Sequence, residues 1–227
     1  MLEGVQKMLD RPRFQSAYYR ATNESLDGIV QGLDLQPQDQ VLAICGSGDQ
    51  AFAILEHAAS VLAIDKQPPQ VELARYRQEC LLRGDTDGFL LSTSRFVEIK
   101  TLADKRDAYF RSPGRLEAIR ARLLNLTIVE KNLKEAIHLR PFTKYYLSNV
   151  LGDYISSMQV ILELMQRMTD HLPVGGLIYL KDNTENFNPT YTWKLPANLR
   201  EDKELTRKAA SHEELWSPVV LRKVREV

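Results

Sequence analysis

The stretch Gln40-Val-Leu-Ala-Ile-Cys-Gly-Ser-Gly-Asp-Gln-Ala51, followed by Ser60-Val-Leu-Ala-Ile-Asp65, decides the fold of this chain. Each half begins with a short apolar run of β-branched and aliphatic residues, the mark of a strand buried on both faces. The first run ends in a glycine bend and a helical stretch, Gln50 to Ala59, and the second in a carboxylate. Pro68-Pro69 then stands where a helix would begin, and residues 70–83 keep helical spacing through Val71, Ala74, Leu81 and Leu82. Strand, helix, strand, helix in so few residues predicts parallel strands joined by right-handed crossovers.

Outward from this unit the alternation continues. Leu126 to Val129, Thr143 to Ser148 and Leu177 to Leu180 read as strands, with helices near 132–139 and from about Tyr154 to His171. Val219 to Val224 reads as a closing antiparallel strand, and the polar stretch 183–212 as loop. Residues 1–36 read as a helical N-terminal cap, with Asn23 positioned to cap the run Leu26, Ile29, Val30, Leu33. Residues 86–123 break the rhythm and read as a helical insertion interrupted at Ser112-Pro-Gly114, since a compact unit connects its elements with far fewer residues. The expectation is one α/β domain over 1–227, a single doubly wound, mostly parallel sheet.

Composition excludes several classes. Hydrophobic residues make up 44% of the 227 and charged residues 26%, close to globular averages. Thirty basic and thirty acidic side chains cancel, which argues against a globally basic nucleic-acid binder, though not against a local patch. No run of ~20 apolar residues is present to span a bilayer, and charge interrupts the N-terminus where a signal peptide is apolar. A cytoplasmic protein is expected. Two cysteines, Cys45 and Cys80, are too few for a disulfide framework, and His57, His138, His171 and His212 show no metal-ligand spacing, so no metal is expected.

The chemistry concentrates at the bend. Gly46-Ser-Gly-Asp-Gln-Ala51 matches G-x-G-x-x-A between a strand and a helix, and Asp65 follows Gly46 by 19 residues, close to the ~20 expected of an acid that binds ribose hydroxyls. Glycines let the backbone turn sharply and approach a ligand closely. Dinucleotides and S-adenosylmethionine satisfy the same physics. A pyrophosphate would occupy the helix N-terminus, where Asp49 places a negative charge. A sulfonium cofactor with an ammonium at its amino-acid end tolerates that carboxylate.

These segments, Val41 to Ala51 and Val61-Leu-Ala-Ile-Asp-Lys-Gln-Pro-Pro-Gln70, resemble the class I S-adenosylmethionine-dependent transferases, which have a Rossmann-like methyltransferase fold. More narrowly, Cys45, Gly48, Asp49, Ala51, Asp65, Pro68 and Gln70 resemble the S-adenosylmethionine:diacylglycerol 3-amino-3-carboxypropyltransferase family. Tyr19 to Glu24 and Tyr109-Phe-Arg-Ser-Pro-Gly-Arg-Leu116 are similar to segments placed alike in it. The chain departs from ordinary methyltransferases at Ala43 and Cys45, and from the narrower family at Gln67.

The resemblance implies that S-adenosyl-L-methionine is the cofactor, held by Cys45, Gly46, Ser47, Gly48 and Asp49 at the bend. Asp65 would hold the ribose, Lys66 and Gln67 border the adenine, and Asn132 and Ser148 complete the site. Asn132 reads equally as the cap of the helix after it. Asn149, Tyr154 and Tyr18 are the candidates for catalysis, positioning a small-molecule or lipid-like acceptor. An anionic acceptor would find Arg111, Arg115, Arg120 and Arg122 in the insertion, although such a run more often forms a solvated face. Transfer of a 3-amino-3-carboxypropyl group or of a methyl group is expected. Binding without catalysis and NAD-dependent oxidoreduction are the alternatives.

Overall fold

The computed structural model describes residues 17–90, 100–153, 158–182, 195–214 and 216–226. Seven strands make one sheet: β1 Gln40–Ile44, β2 Ser60–Asp65, β3 Leu126–Glu130, β4 Lys144–Tyr146, β5 Leu177–Asp182, β6 Leu199–Glu201 and β7 Ser217–Lys223. Their order is β3-β2-β1-β4-β5-β7-β6. β1 to β5 run parallel, while β7 lies antiparallel to both β5 and β6. The chain winds from β1 outward to β3 and then returns to the other side of β1 as β4. Strand order therefore reverses between β1 and β4, where open α/β sheets leave a crevice.

Period-two alternation explains why the strands lack a polar face. Val41 and Ala43 join one hydrophobic cluster with Val61, Ala63, Tyr146 and Tyr179. Leu42 joins the other with Leu62, Ile64, Tyr145 and Ile178. Successive side chains point to opposite faces, and helices cover both.

On the first face lie α1 (Leu26–Gly32), α2 (Asp49–Leu55) and α3 (Pro68–Arg83). The segment after α3 forms α4 (Thr86–Leu90), α5 (Lys100–Arg111) and α6 (Arg115–Arg120). These inserted helices pack into the same core. Phe89 stands edge-on to Phe52 at 5.1 Å and to Phe110 at 5.0 Å. The second face carries α7 (Leu133–Ala136), α8 (Val150–Asp153) and α9 (Met158–His171), with Met165 and Met168 fully buried.

Two expectations need correction. Residues 183–212 are not wholly loop: β6 and a further helix, α10 (Lys203–Ala210), lie within them. The helix escapes the periodicity reading because only Leu205 and Ala209 are buried on an otherwise polar surface. Its legible signal is Asp202, whose Oδ1 caps the Leu205 amide at 3.0 Å. The N-terminal cap is also less helical than expected. Residues 17–25 run as an irregular strap, and α1 is capped by Ser25, which accepts from the Gly28 amide at 3.1 Å, rather than by Asn23.

Helix α10 packs directly on α1, and glycine permits it. A Cβ on Gly32 would meet the Tyr179 ring at 2.7 Å and Ala209 Cβ at 2.9 Å. Gly32→Val should therefore lower the unfolding free energy by about 1–3 kcal/mol through overpacking, read as a shift of the urea midpoint at constant slope.

Candidate functional site

A cavity of about 680 Å³ opens at the point where strand order reverses, within the ~300–1,000 Å³ typical of small-molecule sites. Its floor is the bend after β1. Gly46 and Gly48 hold φ of +49° and +88°, the left-handed region that glycine enters without strain. They serve different ends. A Cβ on Gly46 would meet nothing within 4 Å, whereas one on Gly48 would meet Ala74 Cβ at 2.9 Å. Gly46 keeps the backbone open toward the cavity, and Gly48 lets α3 pack beneath it.

Asp65, at the end of β2, faces the bend. Its Oδ2 accepts from the Gly46 amide at 3.1 Å and its Oδ1 from the Gln67 amide at 2.9 Å. Partial burial raises its carboxyl above the usual range, and these two amides oppose the rise. Gln70 secures the other side, donating to the Gly46 carbonyl at 2.7 Å and to the Tyr19 carbonyl at 2.9 Å. The strap is thereby tied across the cavity's edge.

Beneath the bend, Asp49 is completely buried. Its Oδ2 accepts from the Thr22 amide at 2.9 Å and the Ser47 hydroxyl at 2.8 Å. Its Oδ1 meets Arg106 Nε at 2.8 Å and Arg77 Nη1 at 3.2 Å. Burial alone would raise this carboxyl, but Arg106 and Arg77 outweigh burial and hold it below the usual range. Asp49 is thus turned inward, away from the cavity, and its charge is already matched. Cys45 is also fully buried, and burial pushes its thiol well up, which leaves no thiolate to react.

Of the residues singled out in the sequence, the structure brings Tyr18, Gly46, Ser47, Asp65, Lys66, Gln67, Asn132, Ser148 and Asn149 together on the cavity wall. Cys45, Gly48 and Asp49 lie behind it. Tyr154 lies outside the described residues. Asn132 caps α7, accepting from the Glu135 amide at 3.0 Å, while also bordering the cavity. The insertion arginines are not on the wall. Arg115 stacks on Tyr109 at 3.6 Å and pairs with Glu56, and Arg122 donates to the Ala58 carbonyl at 2.9 Å. These two staple the insertion to the core instead of offering a dock for an anion.

The far wall was harder to read from sequence. Ser148, just past β4, has φ of +51°, rare for a residue with a Cβ. Its hydroxyl and that of Tyr146 both donate to Glu24 Oε1, the latter at 2.8 Å. Lys181 Nζ lies 3.9 Å from the same oxygen, bonds Asn23 Oδ1 at 3.2 Å and sits 3.4 Å over the Trp216 ring. Glu24, Gln50 and Lys181 line the cavity although no spacing marks them, because their partners come from distant segments. The one local hint is Gln50, which directly follows the bend.

No family model matches the sequence, and no match is found among curated proteins. Solved structures do match. N-methyltransferase NodS from Bradyrhizobium japonicum WM9 superposes with a TM-score of 0.53 at 10% identity, over 96% of this chain and 99% of that one. The chain has the Rossmann-like methyltransferase fold. TrmN from Thermus thermophilus gives 0.54 at 15% identity, over 88% of this chain and 48% of that one. A ribosomal protein L11 methylase from Lactobacillus delbrueckii subsp. bulgaricus gives 0.51 at 12%, over 90% and 81%. Two of these three neighbours are methylating enzymes by name, an N-methyltransferase and a methylase.

Two stability measurements test this electrostatic framework. Asp49→Asn takes the Asp49 counter-charge from the buried Arg77 and leaves Arg106 with Asp107 alone, and should cost about 3–5 kcal/mol in urea unfolding. Glu213, which accepts from the Ser25 amide at 2.8 Å, is pushed up to about 7, first by burial and then by the charge of Glu24. A carboxyl raised on folding favours the folded state below its unfolded value, and that advantage fades as pH climbs to the folded value. Unfolding free energy should thus decline between about pH 4.5 and 7. Glu213→Gln, which keeps an acceptor for Ser25, should flatten that part of the profile.

Proposed function

We propose that the protein is an S-adenosylmethionine-dependent transferase whose cofactor lies in the cavity between Asp65 and the end of β4. One observation carries the reading. The Asp65 carboxylate is fixed by Gly46 and Gln67 at the rim of a bend whose first glycine faces open space. A carboxylate so held accepts from sugar hydroxyls without reorganising. The bend itself argues against a pyrophosphate, since the Gly46 amide is donated to Asp65 and the Gly48 amide to the Cys45 carbonyl. That favours a ligand with an unphosphorylated linker. Support also comes from the fold, which NodS shares, including in a structure with S-adenosyl-L-homocysteine.

Bound there, the cofactor would supply an electrophilic carbon and a neutral thioether leaving group that needs no acid. The protein's own task is then alignment and shielding. Asp65 would hold the sugar, and Lys66 and Gln67 would border the base with Asn132. Ile64, Leu133 and Leu164 offer its faces apolar contact. Ser148 and Asn149, beyond β4, and Tyr18 on the strap would orient the acceptor. Tyr18 is 79% exposed and stands edge-on to Tyr19 at 4.8 Å, an aromatic rim for a small-molecule or lipid-like acceptor. Methyl transfer is the reading the fold favours. The 3-amino-3-carboxypropyl alternative rests on the similarity of residues 41–70 and needs the cofactor only to present a different carbon.

Two assays test this. Purified protein given S-adenosylmethionine and candidate acceptors should release S-adenosylhomocysteine for methyl transfer, or methylthioadenosine for the alternative, resolved by mass spectrometry. Asp65→Ala should remove charge-assisted bonds worth ~1.5–3 kcal/mol each and weaken cofactor binding by tenfold or more, with the cooperative melt retained. Undiminished affinity in that variant would refute the ribose role.

A further inference from the structure

Two buried oxygens on the cavity wall lack a partner among the described residues. Glu24 is 5% exposed, and while its Oε1 takes the Tyr146 and Ser148 hydroxyls, its Oε2 accepts nothing among the described residues. Gln50 is 7% exposed. Its Nε2 donates to Thr22 Oγ1 at 3.0 Å, and its Oε1 is likewise unmatched. Both residues line the cavity. A buried acceptor left without a donor is costly, so a pair of them on one wall marks a place for a ligand rich in donors. An ammonium group fits: it brings three donors and no acceptor, and while Lys181 Nζ approaches Glu24 Oε1 at 3.9 Å, the Oε2 atom is left for a second cationic donor.

Topology says which ammonium. Gln50 is the second residue of α2, directly past the bend, and Glu24 is held over the end of β4 by Tyr146 and Ser148. Asp65 stands on the opposite side of the bend, at the end of β2. Among the described lining residues, Glu24 and Asp65 are the two carboxylates, and the reading above gives Asp65 to the sugar. Asp49, the acid nearest the bend in sequence, is consumed by Arg77 and Arg106. A ligand whose sugar lies at Asp65 and whose chain crosses the bend therefore brings its far end to Glu24 and Gln50. We propose that Glu24 Oε2 and Gln50 Oε1 form the receptor for the α-ammonium of the cofactor's amino-acid end. The inference rests on the reading above and adds two positioning residues to it.

Calorimetric titration of the full chain with S-adenosylhomocysteine and with 5′-methylthioadenosine, which lacks the amino-acid end, tests it. Wild-type protein should prefer S-adenosylhomocysteine. Glu24→Gln should weaken that ligand ~10–100-fold while methylthioadenosine stays within about twofold. Gln50→Met should shift the preference in the same direction by several-fold. It leaves Glu24 bonded to Tyr146 and Ser148, so it decides the matter should Glu24→Gln fail to fold. Unchanged S-adenosylhomocysteine affinity in the variants, or equal loss of both ligands, overturns the inference. So does wild-type protein that binds the two ligands equally, an outcome that spares the cofactor reading. Wild-type protein that binds neither overturns both.

Discussion

A single buried carboxylate organises this molecule. Asp49 receives the strap through Thr22, the bend through Ser47, α3 through Arg77 and the inserted α5 through Arg106. An isolated charge in such surroundings would be prohibitive, and it persists because all its partners arrive together. Arg106 also donates to the Leu90 and Phe89 carbonyls, at 2.9 and 3.2 Å, which binds α4 to the same centre. The bend keeps its shape because what lies beneath it is electrostatically complete.

The cavity inherits its polarity from that arrangement. Since Asp49 is satisfied below, the open side presents other groups: Asp65 toward β2, and Glu24 with Lys181 toward β4 and β5. The far pair is crowded with charge, for Glu213 is pushed up to about 7 first by burial and then by the charge of Glu24. Ser148 accepts an unusual backbone conformation beside this group. Such local cost is commonly found where a side chain must be aimed for a ligand.

Much of this was legible in the sequence, and the reason is locality. β1, the bend, β2 and Asp65 are defined within 26 consecutive residues by alternation, glycine and one acid, and β2 spans Ser60–Asp65 as expected. Asp49 was misjudged because its partners are remote: Arg77 is 28 residues away and Arg106 is 57. A carboxylate at a helix start reads alike whether it faces a ligand or a guanidinium. Glu24 was seen only through a family resemblance, since its bond to Tyr146 spans 122 residues. α10 was missed because it is only 8 residues long, and two buried positions, Leu205 and Ala209, are too few to establish a repeat.

Arg106 has a consequence for how such a scaffold diversifies. Segments inserted between the regular units of an α/β sheet are often exchanged wholesale to alter what an enzyme accepts, and loops on the surface tolerate this well. Here the inserted helix reaches the keystone. Trimming it, or grafting a counterpart from another protein, would strand Asp49 with half its cations gone. Variation in what the protein recognises is therefore channelled to the turns beyond β4, which share no hydrogen bond with Asp49 among the described residues and can change without disturbing the foundation.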